Sequence, residues 1–371
     1  PRLDYTDSSC PALLLEPQRT NITTQSEYFA ASSWTNNEGT TLTANAIVSP
    51  EGVQNAFKLV PDATNAHHRI FTLGSITAGN PYTYSVFAKK GEYRYMLLRE
   101  NGLGSAGQDN IGVDLETGTI TYASSNYTSY DIEDYGNGWY RISASANAAL
   151  SSYTIGVRFQ NYETTDNGIS TFTGNGTSGG YVYGFQAEAG SYATSYIPTY
   201  GSSVSRVDEV CTTPQSGNAD FGSGDFSVFF DAEYLDDDGN GATAIVGNRQ
   251  SGNWWRFYGN KILNRFHLEM SSSAGGYTAT IIGTYEQFKD GRNKVVISRD
   301  SSRLICYVNG VEKINSTSSV YLQNFDGTNT KIELNSWNDG ATAHTSMRFN
   351  QLLILKGTAL TASECQSLTT I

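Results

Sequence analysis

Short runs of β-branched and aromatic residues, each closed by a turn of Gly, Asn or Asp, recur along the whole chain. This cadence constrains the fold more than any other feature. Residues 56–60, 69–73, 82–88, 139–143 and 154–159 are such runs. Residues 111–115 and 119–122 are joined by Glu116-Thr117-Gly118, a hairpin connection in which the glycine takes positive φ. Windows rich in Ala, Leu, Glu and Lys, which long helices need, are missing. Many strands at close spacing without helices between them predict antiparallel β-sandwiches. A chain of 371 residues exceeds one ordinary core, so two sandwiches in tandem are expected.

The boundary is marked by composition. Residues 181–188 alternate apolar and polar, as a half-buried strand does. Pro198 then removes a donor, Gly201-Ser202-Ser203 loosens the chain, and a break follows at Thr212 to Gly217. The expected organisation is an extended N-terminal lead-in over 1–22, a jelly roll over 23–207, a linker over 208–217 and a second sandwich over 218–371. Strands in the second half are read at 226–234, 242–247, 254–258, 265–271, 277–284, 294–299, 304–309, 331–334 and 348–356. Thr361 with Glu364 three residues later forms a capping box, which predicts one short C-terminal helix over 361–368. In the lead-in, Leu13-Leu14-Leu15 between Pro11 and Pro17 is too short for a helix and reads as an edge strand or a docking segment.

The formal net charge of −12 disfavours a nucleic-acid partner, because phosphate binding needs a basic face. No apolar run reaches the ~20 residues of a membrane span, so no membrane insertion is expected. The sequence opens on Pro1, and it reads as part of a longer polypeptide or as a processed product. Its four cysteines, Cys10, Cys211, Cys306 and Cys365, show no metal spacing. Cys306 and Cys365 read as buried thiols; Cys10 and Cys211 flank the first domain, which leaves a bridge between them open.

Three blocks carry a family resemblance. They are Pro11 to Asn21, the Gly136-Asn137-Gly138-Trp139-Tyr140-Arg141 segment, and "QAEAGSYATSYIPTYGSSVSRVDEV" beginning at Gln186. Together they resemble the carbohydrate-binding-module-like jelly roll of bacteriophage tail and head appendages. The run "KVVISRDSSRLICYVNGVEK" from Lys294, with the C-terminal helix, is similar to a laminin-G/concanavalin-like sandwich. The resemblance implies a non-enzymatic virion-surface appendage, a homo-oligomer (a trimer), with cell-surface glycans and other virion proteins as partners. Two alternatives remain: the binding part of a secreted polysaccharide-degrading enzyme, and a structural fibre spacer.

Several clusters hold residue types that can carry chemistry. Asp131 and Glu133 would share one face of a strand, as glycosidase carboxylates do. The Tyr135-Gly136-Asn137-Gly138 sequence that follows makes a solvated turn the expected reading. His67 and His68 are adjacent and would point to opposite faces of a strand, while His267 and His344 stand alone and read as structural hydrogen bonders. Asp236, Asp237, Asp238 and Asn240 form the densest set of oxygen ligands, suited to calcium or to a plain acidic turn. Trp254 and Trp255 with Arg256 and Tyr258 are the candidate carbohydrate site. An indole stacks on the apolar face of a sugar, and alternation sends only one of the two outward. Trp34, Trp139 and Trp337 read as core.

Overall fold

The computed structural model describes residues 2–4, 11–35, 38–209, 211–212, 224–237, 243–248, 254–260, 262–272, 276–288, 291–319, 321–322, 333–334 and 345–370. The protein is nearly all β, with antiparallel pairing throughout the described ladders. It divides into two compact units, one of Arg19–Arg206 and one combining Pro1–Gln18 with Val207–Ile371.

The first unit is a sandwich of two six-stranded sheets. The front sheet runs in the order Thr119–Ala123, Gln108–Asp114, Tyr95–Asn101, Ser152–Gln160, Ile70–Ser75, Trp34–Thr35. The rear sheet runs Ser129–Asp134, Trp139–Asn147, Pro81–Lys90, Gly180–Ala189, Ala56–Pro61, Thr40–Ile47. Alternate residues face inward: Met96, Leu98, Ile155, Val157 and Phe159 from the front sheet meet Tyr84, Val86, Ile142 and Val182 from the rear. Each such side chain, fully buried, contributes about 1.5–3 kcal/mol of transfer free energy.

The stretch from Gly184 closes this unit. Gly184 sits at φ 59° inside a register shift between Tyr183 and Gln186. That bulge resets the alternation, so Phe185 and Ala187 turn into the core beyond it. After Pro198 the chain folds back, and Val204–Arg206 pairs with Arg19–Asn21. The buried Asn21 amide ties the fold-back together. Its Nδ2 donates to the carbonyls of Phe185 (3.2 Å) and Ile197 (2.8 Å), and its Oδ1 accepts from the Ala187 amide. First and last strands of the unit therefore lie side by side.

In the second unit a seven-stranded sheet runs Arg2–Asp4, Ala12–Leu15, Thr345–Lys356, Phe226–Asp237, Gly291–Arg299, Leu304–Val308, Val311–Ser316. Across the core lies a sheet of Cys211–Thr212, Glu333–Leu334, Thr243–Asn248, Trp254–Asn260, Arg265–Ser272 and Gly276–Gly283. The outer face of the seven-stranded sheet is partly covered by the helix Ala362–Thr369, whose Cys365 packs on Phe229, Val296 and Ile305. The helix starts with the expected capping box of Thr361 and Glu364. Asn309 and Gly310, both at positive φ (48° and 77°), turn the hairpin between Leu304–Val308 and Val311–Ser316.

Several expectations change. Residues 1–18 belong with the second unit, where Leu13 to Leu15 pair with Met347 to Phe349, so the lead-in extends a sheet that forms late in the sequence. Part of the expected linker is likewise a strand, Cys211–Thr212, paired with Glu333–Leu334. Asp131 and Glu133 lie on an edge strand, Ser129–Asp134, rather than in a turn; the turn begins one residue later. The two histidines are not on a strand. His68 is buried in the left-handed region (φ 53°), its ring nitrogens within hydrogen-bond distance of the carbonyls of Gly39 and Phe172. Cys211 carries no disulfide, and Cys10 lies outside the described residues.

Candidate functional site

Trp255 is not part of a binding surface. Alternation along Trp254–Asn260 sends it inward with Phe257, and it is 0% exposed in the core beside Phe266, Leu268 and Met270. Trp254, Arg256 and Tyr258 share the opposite face. There Arg256 stacks over both rings, 5.2 Å from the Trp254 centroid and 4.5 Å from that of Tyr258, and its Nε donates to Glu269 Oε2 at 2.6 Å. Arg256 and Tyr258 are buried, while Trp254 is half-buried. The four sequence candidates thus resolve into one core residue and a packed trio.

His267 lies beside this trio, 5.8 Å between its ring centroid and that of Tyr258. It is 8% exposed, and neither ring nitrogen has a hydrogen-bond partner among the described residues, contrary to the expected structural hydrogen bonds. Burial lowers its pKa from the usual histidine value, opposed by Glu269. Asp238 and Asn240 of the calcium candidate lie outside the described residues, as do Trp337 and His344. Asp236 and Asp237 end the strand Phe226–Asp237, and of these two only the backbone is described.

A recess lies in the first unit, on the outer face of the rear sheet. Trp139 stands directly across from Lys89, Lys89 from Tyr181, and Tyr181 from Lys58. Directly opposed residues share a face, so one row of outward side chains crosses four strands. Tyr135 extends the row at the edge, its amide donating to the Trp139 carbonyl (2.9 Å). Between them Gly136, Asn137 and Gly138 all have positive φ (77°, 53° and 75°), a tight turn that ordinary side chains resist. Residues 47–50 form the opposite wall, and the Trp139 indole N–H donates to the Val48 carbonyl at 3.1 Å.

These elements enclose an open cleft of about 390 Å³, lined by Tyr135, Asn137, Trp139, Lys89, Tyr181 and Pro50 among others. Tyr135 is 41% exposed and meets Phe87 edge-on at 4.8 Å. The Lys89 ammonium donates to the Asn137 carbonyl (2.5 Å), which holds it at the rim. Lys58 lies 5.8 Å from the Tyr181 centroid and pairs with Glu92 at 2.9 Å. Aromatic faces flanked by a few polar groups are the usual make-up of a small-ligand site. Sequence reading missed this site, because only register brings residues 58, 89, 135, 139 and 181 into one row.

No protein-family model matches the chain, and no curated protein matches it. Among solved structures it is similar to the CBM40 of the Ruminococcus gnavus IT-sialidase bound to alpha2,3 sialyllactose. The identity is 11%, over 40% of this chain and 83% of that one, with a TM-score of 0.34. It is also similar to domain 4 of AbnA, a GH43 extracellular arabinanase from Geobacillus stearothermophilus, in complex with arabinotriose. Here the identity is 19%, over 46% and 77% of the two chains, with a TM-score of 0.31. For the binding domain of botulinum neurotoxin serotype D the values are 14%, 43%, 42% and 0.32. Likenesses this distant do not decide what the chain binds.

Proposed function

We propose that the chain is a non-enzymatic glycan-binding protein that holds sugar in the cleft of the first unit. The observation that carries this reading is the row of Tyr135, Trp139, Lys89 and Tyr181, with Asn137 and a 390 Å³ recess above it. A sugar ring offers an apolar C–H face to the exposed Tyr135 or Tyr181 ring, and its hydroxyls pair with Lys89 and Asn137. The finer setting is a virion appendage attached to cell-surface glycans. Its support is the sequence resemblance of the three blocks named above.

A glycan array probed with the full chain, followed by titration of the best hit, is the test. Loss of a stacked aromatic contact costs ~1–3 kcal/mol by analogy with base stacking. Tyr135→Ala is therefore expected to weaken binding roughly ten- to a hundredfold. If Tyr135→Ala and Tyr181→Ala bind as the unaltered chain does, while Trp254→Ala does not, the sugar lies on the second unit. A blank array refutes the glycan reading.

A further inference from the structure

The outer face of the front sheet carries buried cations that its own carboxylates do not neutralise. Leu98 and Val157 face the core, so Arg99 and Arg158 project outward from adjacent strands. Both are buried, Arg99 with 4% of its surface exposed and Arg158 with 2%. Arg69 lies nearby and is matched by Glu38 through a bidentate pair (2.6 and 2.9 Å). Arg158 is bound only by neutral acceptors among the described residues: Gln160 Oε1, the carbonyls of His67 and Ser170, and the Tyr162 hydroxyl.

Arg99 differs from both. Its two terminal nitrogens, Nη1 and Nη2, are buried and have no hydrogen-bond partner among the described residues. Burial, with the charges of Arg69 and Arg158, pushes its pKa down to about 10. The same three arginines, after burial itself, help to hold His67 below the usual histidine value against Glu38, so His67 adds no compensating anion and little charge. An unpaired ionised group out of water is strongly unfavourable. In a chain of net charge −12, with acidic residues in surplus, leaving this cation unmatched is a specific arrangement.

The surroundings say what would match it. Arg99 stands across from Gly156 on one side, where Phe71 closes in on the glycine, and from Asn110 on the other. Beyond Gly156 comes Phe71, half-buried, and two residues on along that strand is Leu73, 62% exposed. A guanidinium end with two free nitrogens fits the two oxygens of a carboxylate. One face of the Phe71 ring carries the Arg69 guanidinium, 5.0 Å from its centroid, so the exposed Leu73 is the apolar surface that suits the C–H face of a ring. We propose that Arg99 binds a carboxylate, and that the outer face of the front sheet takes a carboxylate-bearing sugar there. Both terminal nitrogens are buried, so entry requires the side chains around them to move. This site lies on the opposite sheet from the Tyr135 cleft and stands or falls separately from it.

The test is thermal unfolding of the full chain with glucuronate, glucose or sulfate at matched ionic strength, for the unaltered protein and for Arg99→Met. Glucuronate is expected to raise the Tm, since a ligand bound only to the native state stabilises it. Glucose is expected to have a smaller effect and so is sulfate. Without ligand, Arg99→Met is expected to melt higher than the unaltered chain, because an apolar side chain replaces an unmatched buried charge. Its glucuronate affinity is expected to fall at least tenfold. Arg99→Lys, which keeps the charge and loses the fork, is expected to lose affinity too. The glucuronate response is expected to persist in Tyr135→Ala. No response to glucuronate, an equal response to sulfate or glucose, its loss in Tyr135→Ala, or a lower Tm for Arg99→Met would each overturn the proposal.

Discussion

Trp139 and Lys89 face each other across neighbouring strands of the rear sheet, and the same backbone turn fixes both. The turn at 136–138 delivers Trp139 to the head of its strand and offers the Asn137 carbonyl to the Lys89 ammonium. Tyr135 is thereby placed at the rim with its ring against Phe87. The geometry of the cleft thus depends on three consecutive residues of positive φ.

That dependence is testable at Asn137, whose φ of 53° glycine adopts freely and a β-branched residue does not. Asn137→Gly is expected to keep stability and to lose only the share of affinity that the Asn137 amide contributes. Asn137→Val is expected to lose about 1–2 kcal/mol of stability and most of the affinity. Urea unfolding together with titration of the array hit checks both.

The tryptophan pair of the second unit is expected to separate stability from surface. Trp255→Ala leaves a cavity in the core and is expected to cost about 3–5 kcal/mol. Trp254→Ala removes a half-buried ring beneath Arg256, and its cost is expected to be near the 0.5–2 kcal/mol range of a cation–π contact. Equal losses in urea unfolding would contradict the inward and outward assignment.

Much of the fold was legible because its signals are local. Alternation, glycine turns and the Thr361–Glu364 box each involve a few consecutive residues, and the strands and helix appear where those signals stand. Pairings distant in sequence were not legible. Nothing near Leu13 shows that it will lie beside Phe349, and nothing near Cys211 shows that it will lie beside Leu334. The cleft failed to show for the same reason. The Trp254–Trp255 pair drew notice by composition, although one ring is core and Arg256 packs on the other. The cation cluster was equally hidden, since Arg69, Arg99 and Arg158 meet only through strand order.

The thiols of the second unit give a simple check of packing. Burial, with Glu364 beside it, raises the pKa of Cys365 to about 11, and burial, with Cys365 nearby, raises that of Cys306 further. The thiolate is the reactive form. Both are therefore expected to resist alkylation in the native chain, while half-buried Cys211 reacts first. Mass spectrometry of a timed labelling series reads the order; early labelling at Cys365 would contradict the packing of the helix Ala362–Thr369 on its sheet, and early labelling at Cys306 the packing of the core between the sheets.

The last prediction concerns a carboxyl pair at one end of the first unit's core. Glu100 and Asp109 are both 0% exposed. Glu100 accepts from the amides of Leu103 and Gly104 (both 2.8 Å), yet burial, with Asp109 beside it, raises its pKa from 4.5 to about 8. Burial also works to raise Asp109, but hydrogen bonds from Ser124, Ser105 and Asn126 outweigh it and hold that carboxyl below its usual value of 3.8. The two signs differ. The folded state keeps the Glu100 proton more tightly than the unfolded state does, so this contribution is complete below about pH 4.5 and is lost as pH rises towards 8. Asp109 contributes above 3.8 and loses its contribution as pH falls through its lowered folded value. The first unit is therefore expected to lose stability from mildly acidic to mildly alkaline pH. Glu100→Gln, which carries no titrating proton, is expected to flatten that slope whatever it does to stability at a single pH. Thermal unfolding of both proteins across pH 4.5–8 measures it, and parallel slopes would show that Glu100 titrates as an ordinary surface carboxylate.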